Sequence, residues 1–252
     1  VDGTHYAMLM LLPPQQQAQR LPRELILIID TSGSMGGESI RQARAALDLA
    51  LSQLQPGDRF NVAEFNSTLN PWSSEAVAAT PEALQKARAW VDQLQANGGT
   101  EMAPALRFAL AGHAPPGYVR QVLFATDGAV DDPNGLMQLI DEQLGDSRLF
   151  PIGIGNAPNA GFLQAAARHG RGSETLVTDT GNVGKAMVSL LARLDHPALR
   201  DLKVDWPAGS DVYPRQLPDL YRGEPLLVTA RLAEPVDRVQ VHGQLAERGW
   251  TV

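Results

Sequence analysis

Between Glu24 and Asp195, short apolar runs alternate with helix-period stretches, and this alternation constrains the chain more than anything else in it. Leu25-Ile26-Leu27-Ile28-Ile29 is continuous, apolar and β-branched, the composition of a strand covered on both faces. A helical stretch follows from about Glu38 to Leu54, with Ile40, Ala43, Ala46, Leu47, Ala50, Leu51 and Leu54 on one face and Pro56-Gly57 as its stop. Arg59 to Phe65 is the next strand. Pro81 to Leu94 is a helix opened by Thr80 as N-cap and Pro81 at its first position. Helices at Pro104–Ala111, Gly135–Leu144, Ala160–Arg168 and Val183–Leu194 then alternate with strands at Val119–Ala125, Leu149–Ile154 and Thr175–Val177. Right-handed crossovers fold such a series into an α/β domain with an open, doubly wound, mostly parallel sheet.

The texture changes after His196-Pro197. Leu199–Trp206, Leu226–Leu232 and Val236–Val241 read as strands between Pro- and Gly-bearing turns, with no helix among them. Tyr6–Leu12 is strand-like too. The expected division is therefore an α/β domain over 24–195 and a smaller β-rich module over 196–252. Residues 1–23 read as a strand and linker from a preceding β domain, packing on the C-terminal module. The chain starts at Val1 rather than Met and stops at Val252 within a strand-like stretch, as a fragment of a longer protein would. Gln15-Gln16-Gln17 is too short to count as low complexity.

Charge and composition exclude several functions. Lys and Arg total 21 against 28 Asp and Glu, a net charge of -7, and no basic cluster interleaves with aromatics, so nucleic acid is not an expected partner. The absence of cysteine removes disulfides, thiolate metal sites and a cysteine nucleophile. No apolar run approaches the roughly 20 residues that span a bilayer, so no transmembrane segment is expected in this chain.

Asp30-Thr31-Ser32-Gly33-Ser34 directly follows the first buried strand, at the carboxyl edge of the sheet where open α/β folds bind ligands. Asp30, Ser32 and Ser34 alternate along a turn that Gly33 permits, and Gly36 and Gly37 let it close before the helix. One carboxylate and two hydroxyls form a hard oxygen set, suited to Mg²⁺ or Mn²⁺ more than to zinc.

These residues resemble the Asp-x-Ser-x-Ser signature of the metal ion-dependent adhesion site in von Willebrand factor A domains. Asn97-Gly98-Gly99-Thr100 is similar to that family's second motif and Ala125-Thr126-Asp127-Gly128 to its third. The resemblance covers about Glu24 to Asp195. It is closest in detail to the inter-alpha-trypsin inhibitor heavy-chain group and its bacterial relatives, because Asp211-Val212-Tyr213-Pro214-Arg215 and Gly223-Glu224-Pro225 look like the β segment that follows the A domain there. It implies five metal-site residues, Asp30, Ser32, Ser34, Thr100 and Asp127, around one divalent cation. Mg²⁺ is the first choice, with Mn²⁺ or Ca²⁺ as alternatives. The three hydroxyls would bind directly and the two aspartates directly or through water. It also implies a protein partner whose Asp or Glu carboxylate completes the shell, and an extracellular, cell-surface or periplasmic location.

Other readings compete for the same residues. A metal-dependent hydrolase could use the same ion, and metal-chelatase assembly subunits also contain A domains, though no ATPase partner is encoded here. Ser32 interrupts the Asp-Thr-Gly triplet of aspartic proteases, and no second copy exists. Gly153-Ile154-Gly155 lacks the third glycine of a dinucleotide fingerprint, since Pro158 stands in its place, and reads as a strand exit. Gly181-Asn182-Val183-Gly184-Lys185 lacks P-loop spacing and reads as a helix start. The histidines His5, His113, His169, His196 and His242 are scattered, and Ser34 is not in a nucleophile elbow, so no catalytic residue is expected. Asp131 and Asp132 read as a solvated turn before Pro133. Trp72, Trp90, Trp206 and Trp250 read as core or edge residues.

Overall fold

A computed structural model describes residues 4–13, 20–127, 130–155, 158–195, 197–221, 225–245 and 248–252. The Gln15–Gln17 tract, Gly128, His196 and Gly223-Glu224 lie outside the described residues. The chain divides into two compact units, residues 22–191 and residues 1–21 with 192–252.

The first unit contains strands β2 (Arg23–Asp30), β3 (Arg59–Phe65), β4 (Leu69–Pro71), β5 (Val77–Ala78), β6 (Val119–Thr126), β7 (Ser147–Ile154) and β8 (Thr175–Val177). Its helices are α1 (Glu38–Ser52), α2 (Pro81–Val91), α3 (Met102–Leu110), α4 (Pro133–Gln143), α5 (Ala160–His169) and α6 (Val183–Leu194), the last reaching the boundary with the second unit. The five parallel strands lie in the order β3-β2-β6-β7-β8, with β4 and β5 added antiparallel to β3. Numbered along the chain, the parallel strands run 2-1-3-4-5, so the winding reverses between β2 and β6, where a doubly wound sheet opens a crevice for ligands.

Burial explains the strand pattern. All eight residues of β2 are buried, and Leu25, Leu27, Ile28 and Ile29 have no solvent exposure. Each such side chain contributes roughly 1.5–3 kcal/mol relative to an exposed one. One face of the sheet packs on Met102, Leu106, Leu136, Ile140 and Leu163 from α3, α4 and α5. The amino end of the sheet holds a polar cluster: Glu24 is 3% exposed, and it accepts from Arg59 Nε at 3.0 Å and from Arg120.

The helices and parallel strands follow the expected alternation, with shifts at their ends. Leu54 lies beyond α1 because the helix ends at Ser52, and α3 starts at Met102, which puts Pro104 in the first turn where its missing N–H costs nothing. Gly181–Lys185 does open a helix: a 3₁₀ turn at Thr180–Asn182 leads into α6. The short strands β4 and β5 were not expected, since their residues become strands only through pairing with β3.

The second unit has two antiparallel sheets. One contains β1 (His5–Leu11), β12 (Leu226–Leu232) and β10 (Asp211–Tyr213), in the order β1-β12-β10. The other contains β11 (Leu220–Tyr221), β9 (Pro197–Asp205), β13 (Gln240–Leu245) and β14 (Arg248–Thr251), in the order β11-β9-β13-β14. Leu11, Leu199, Leu202, Leu217, Leu220, Val228 and Val241 form the unit's apolar core, with Trp206 and Trp250 half-buried against it. The strand expected over Val236–Val241 instead runs Gln240–Leu245, because its extent is set by ladders to β9 and β14 rather than by its own apolar run.

Candidate metal centre

Asp30 is the last residue of β2 and has no exposure. Its Oδ1 accepts the Ser32 backbone N–H at 2.8 Å, which folds the chain back on itself immediately after the strand. Its Oδ2 accepts the Thr126 hydroxyl at 2.8 Å, tying the end of β2 to the end of β6. Burial pushes the Asp30 carboxyl above its ordinary range, opposed by the hydrogen bonds from Ser32 and Thr126, and the charge of Asp127 pushes it further up. Among the described residues no cationic side chain pairs with Asp30.

Ser32 is buried, whereas Ser34 is exposed within a 3₁₀ turn at Gly33–Met35, and their hydroxyl oxygens lie 3.1 Å apart. Met35, fully buried, pins the turn from below. Gly37 then takes φ 73°, a left-handed value that glycine tolerates, and α1 begins. This requirement falls on Gly37 and not on Gly36.

Two further loops close on the first. Gly33 N–H donates to Gly98 O at 3.1 Å, and Asn97 N–H to Thr31 O at 2.7 Å. Gly98 has φ 73°, and a β-carbon there would sit 2.9 Å from Ser67 Oγ, so the close approach depends on glycine. Thr100 follows two residues later, half-buried at the entry to α3, and Glu101 N–H donates to Asn66 O at 2.7 Å. Asp127 is half-buried immediately after β6. The Asp30 loop thus meets the Asn97–Thr100 segment through backbone hydrogen bonds, and the Thr126 hydroxyl ties Asp30 to the end of β6, next to Asp127.

Sequence reasoning missed Asn66 and the role of Thr126. The Asn66 amide donates to Thr31 Oγ1 at 3.2 Å and to Asn97 Oδ1 at 3.1 Å, so one side chain holds the first two loops together. Its position directly after the parallel strand β3 was the available signal. Asp131 and Asp132 are exposed as expected, but Asp132 also caps α4 by accepting the Gly135 N–H at 3.0 Å. Gly153–Gly155 is the exit from β7, consistent with its reading. Among the described residues no group of three or more His, Cys, Asp or Glu side chains gathers as for a metal, so a cation at this loop cluster would depend on hydroxyl oxygens.

A family model described as the von Willebrand factor type A domain matches residues 23–175. Inter-alpha-trypsin inhibitor heavy chain H2 of Sus scrofa is 25% identical over 238 residues, covering 87% of this chain and 25% of that protein. The chain spans about a quarter of the length of the curated relatives it matches. A solved von Willebrand factor type A structure from Catenulispora acidiphila has a TM-score of 0.75 at 19% identity, covering 98% of this chain and 71% of that one. Proximal thread matrix protein 1 from the mussel byssus, solved with a zinc-occupied MIDAS motif, has a TM-score of 0.58 at 12% identity and covers 75% of this chain and 50% of that one. With most of its α/β unit matched by the family model, the chain belongs to the von Willebrand factor type A domain family.

Proposed function

We propose that this chain is a divalent-cation-dependent protein-binding module whose ion sits at the loops after β2, α2 and β6. The observation that carries the reading is the state of Asp30: a carboxylate with no exposure that, among the described residues, is satisfied by neutral donors, and that burial and the charge of Asp127 push above its ordinary range. Burying an uncompensated charge is costly, and a cation beside the two aspartates would offset it. The donors suit such an ion, because the Ser32 and Ser34 oxygens already converge and each Asp30 oxygen keeps a lone pair.

Ser32, Ser34 and Thr100 would hold the ion through their hydroxyls, and Asp30 and Asp127 directly or through water. With few protein charges in the shell, the bound cation supplies a Lewis-acidic position open to an anionic ligand, here an Asp or Glu carboxylate of a protein partner. Thr126 and Asn66 act behind these donors, Thr126 by orienting Asp30 and Asn66 by fixing the Asn97 loop against Thr31. Mg²⁺ fits a hard oxygen set best, and the zinc held by the mussel protein makes Zn²⁺ a cation to test beside Mn²⁺ and Ca²⁺.

The division into an α/β domain and a β module, with residues 1–23 leading in from a preceding β domain, belongs to the same reading. So does an extracellular, cell-surface or periplasmic setting. No helix among the described residues is long and apolar enough to cross a membrane. The role proposed is binding rather than catalysis, since the five histidines are scattered along the sequence and none neighbours a candidate ligand there.

The test is retention of proteins from the source organism on immobilised protein in Mg²⁺, followed by elution with EDTA. A distinct set of proteins released by EDTA, and absent from an Asp30→Ala column, is expected. Retention unchanged by EDTA and by the substitution would overturn the proposal.

A further inference from the structure

Beside Thr100, a cleft of about 360 Å³ runs between α3 and α4, near the lower end of the size range of ligand pockets. Its lining includes the buried apolar side chains Met102, Leu136 and Leu139. Four exposed carboxylates also line it, Glu101, Asp131, Asp132 and Glu142, against the single guanidinium of Arg107. Asp132 is engaged as the cap of α4 and Glu142 accepts the Gln138 amide at 2.8 Å. The side chains of Glu101 and Asp131 have no hydrogen bond or ion pair among the described residues.

Resting on the cation reading above, we propose that this cleft takes a Lys or Arg side chain of the partner, carried a few residues from the carboxylate that meets the ion. Two arguments converge. A segment bearing a carboxylate alone would approach a face crowded with like charge on a chain of net charge -7, and like charges across an interface oppose association. A Lys or Arg lays an aliphatic stem on apolar surface and keeps its charge in water, which matches an apolar interior under an acidic rim. Thr100 belongs both to the cleft lining and to the proposed ligand set, so the two subsites are continuous. An extended segment advances about 3.3 Å per residue, so adjoining subsites are reached by side chains a few positions apart.

The experiment is selection of a displayed random-peptide library on the wild-type protein in Mg²⁺ at low salt, with elution by EDTA, run in parallel on Asp30→Ala. Eluted sequences enriched in Lys or Arg within four residues of an Asp or Glu are expected. Replacing that Lys or Arg by norleucine should weaken binding about three- to tenfold at low salt and much less in 1 M salt, where screening is nearly complete. In a Glu101→Gln, Asp131→Asn, Glu142→Gln variant the basic peptide should lose this preference. All three positions are exposed, so folding is not at stake. Peptides enriched in carboxylates without basic neighbours, or a preference that survives the triple variant, would overturn the cleft assignment and leave the cation reading standing. No EDTA-eluted sequences in excess of those from Asp30→Ala would overturn both.

Discussion

Glu24 and Asp30 sit at opposite ends of β2, both buried, and the protein compensates them differently. Glu24 lies between two guanidinium groups, Arg59 and Arg120, with Arg120 also donating to Ala109 O at 3.0 Å. Among the described residues Asp30 meets a backbone N–H and hydroxyl groups, with the charge of Asp127 nearby and no cationic partner. The amino end of the strand closes its own charge balance, so Glu24 is structural. On the cation reading proposed above, the carboxyl end leaves a negative charge for an external ion, at the place where the sheet winding reverses. Burial alone does not mark a functional carboxylate; the identity of what surrounds it does.

The largest effect should follow from breaking the closed end. Glu24→Ala leaves two arginines facing each other, one of them buried, and is expected to lower stability by about 3–5 kcal/mol. Urea unfolding should give the same loss in EDTA and in Mg²⁺. A loss that appeared in only one of the two conditions would mean that the ends of β2 are not independent.

Weakening the loops at the open end should do less to stability and more to cation affinity. Asn66→Ala removes the side-chain link between Thr31 and Asn97, which is expected to cost about 1–2 kcal/mol in EDTA, since each such bond is worth about 0.5–1.5 kcal/mol net. Loss of this outer support should reduce Mg²⁺ affinity at least about tenfold, as read by titration calorimetry. Unchanged affinity would remove Asn66 from the site.

The smallest effect serves as the calibration. Arg88 and Asp48 form a bidentate ion pair between α2 and α1, with both side chains at least 40% exposed. Arg88→Ala should cost under about 1 kcal/mol, with no change in cation response. A cost near that of Glu24→Ala would show that burial is not what separates the two pairs.

How much of this could be read beforehand depends on how local each signal is. The Asp30-to-Ser34 loop stood out as a candidate because it directly follows an unmistakable buried strand, whereas Thr100 and Asp127 entered the candidate set only through the resemblance to the family's second and third motifs. Thr126 was not, because a threonine ending a strand reads as a strand former, and its partner Asp30 is 96 residues away. Asn66 was not singled out, because an asparagine after a strand is common in turns. The meeting of Glu24, Arg59 and Arg120 could not be read, since nothing in one sequence brings three separate strands into register. The same reason hid β4, β5 and β11, whose few residues become strands only through a neighbouring ladder.

The most direct test compares thermal unfolding of the wild type and Asp30→Asn, first in EDTA and then with saturating Mg²⁺, Mn²⁺, Ca²⁺ or Zn²⁺. In EDTA the variant should match or exceed the wild type, because it removes a buried charge that neutral donors only partly offset. With at least one of these cations at about 100 times its dissociation constant, the wild type should gain about 2.7 kcal/mol and the variant nothing. An equal gain in both proteins, or a wild type indifferent to all four cations, would contradict the claim that the loops around Asp30 hold a divalent ion.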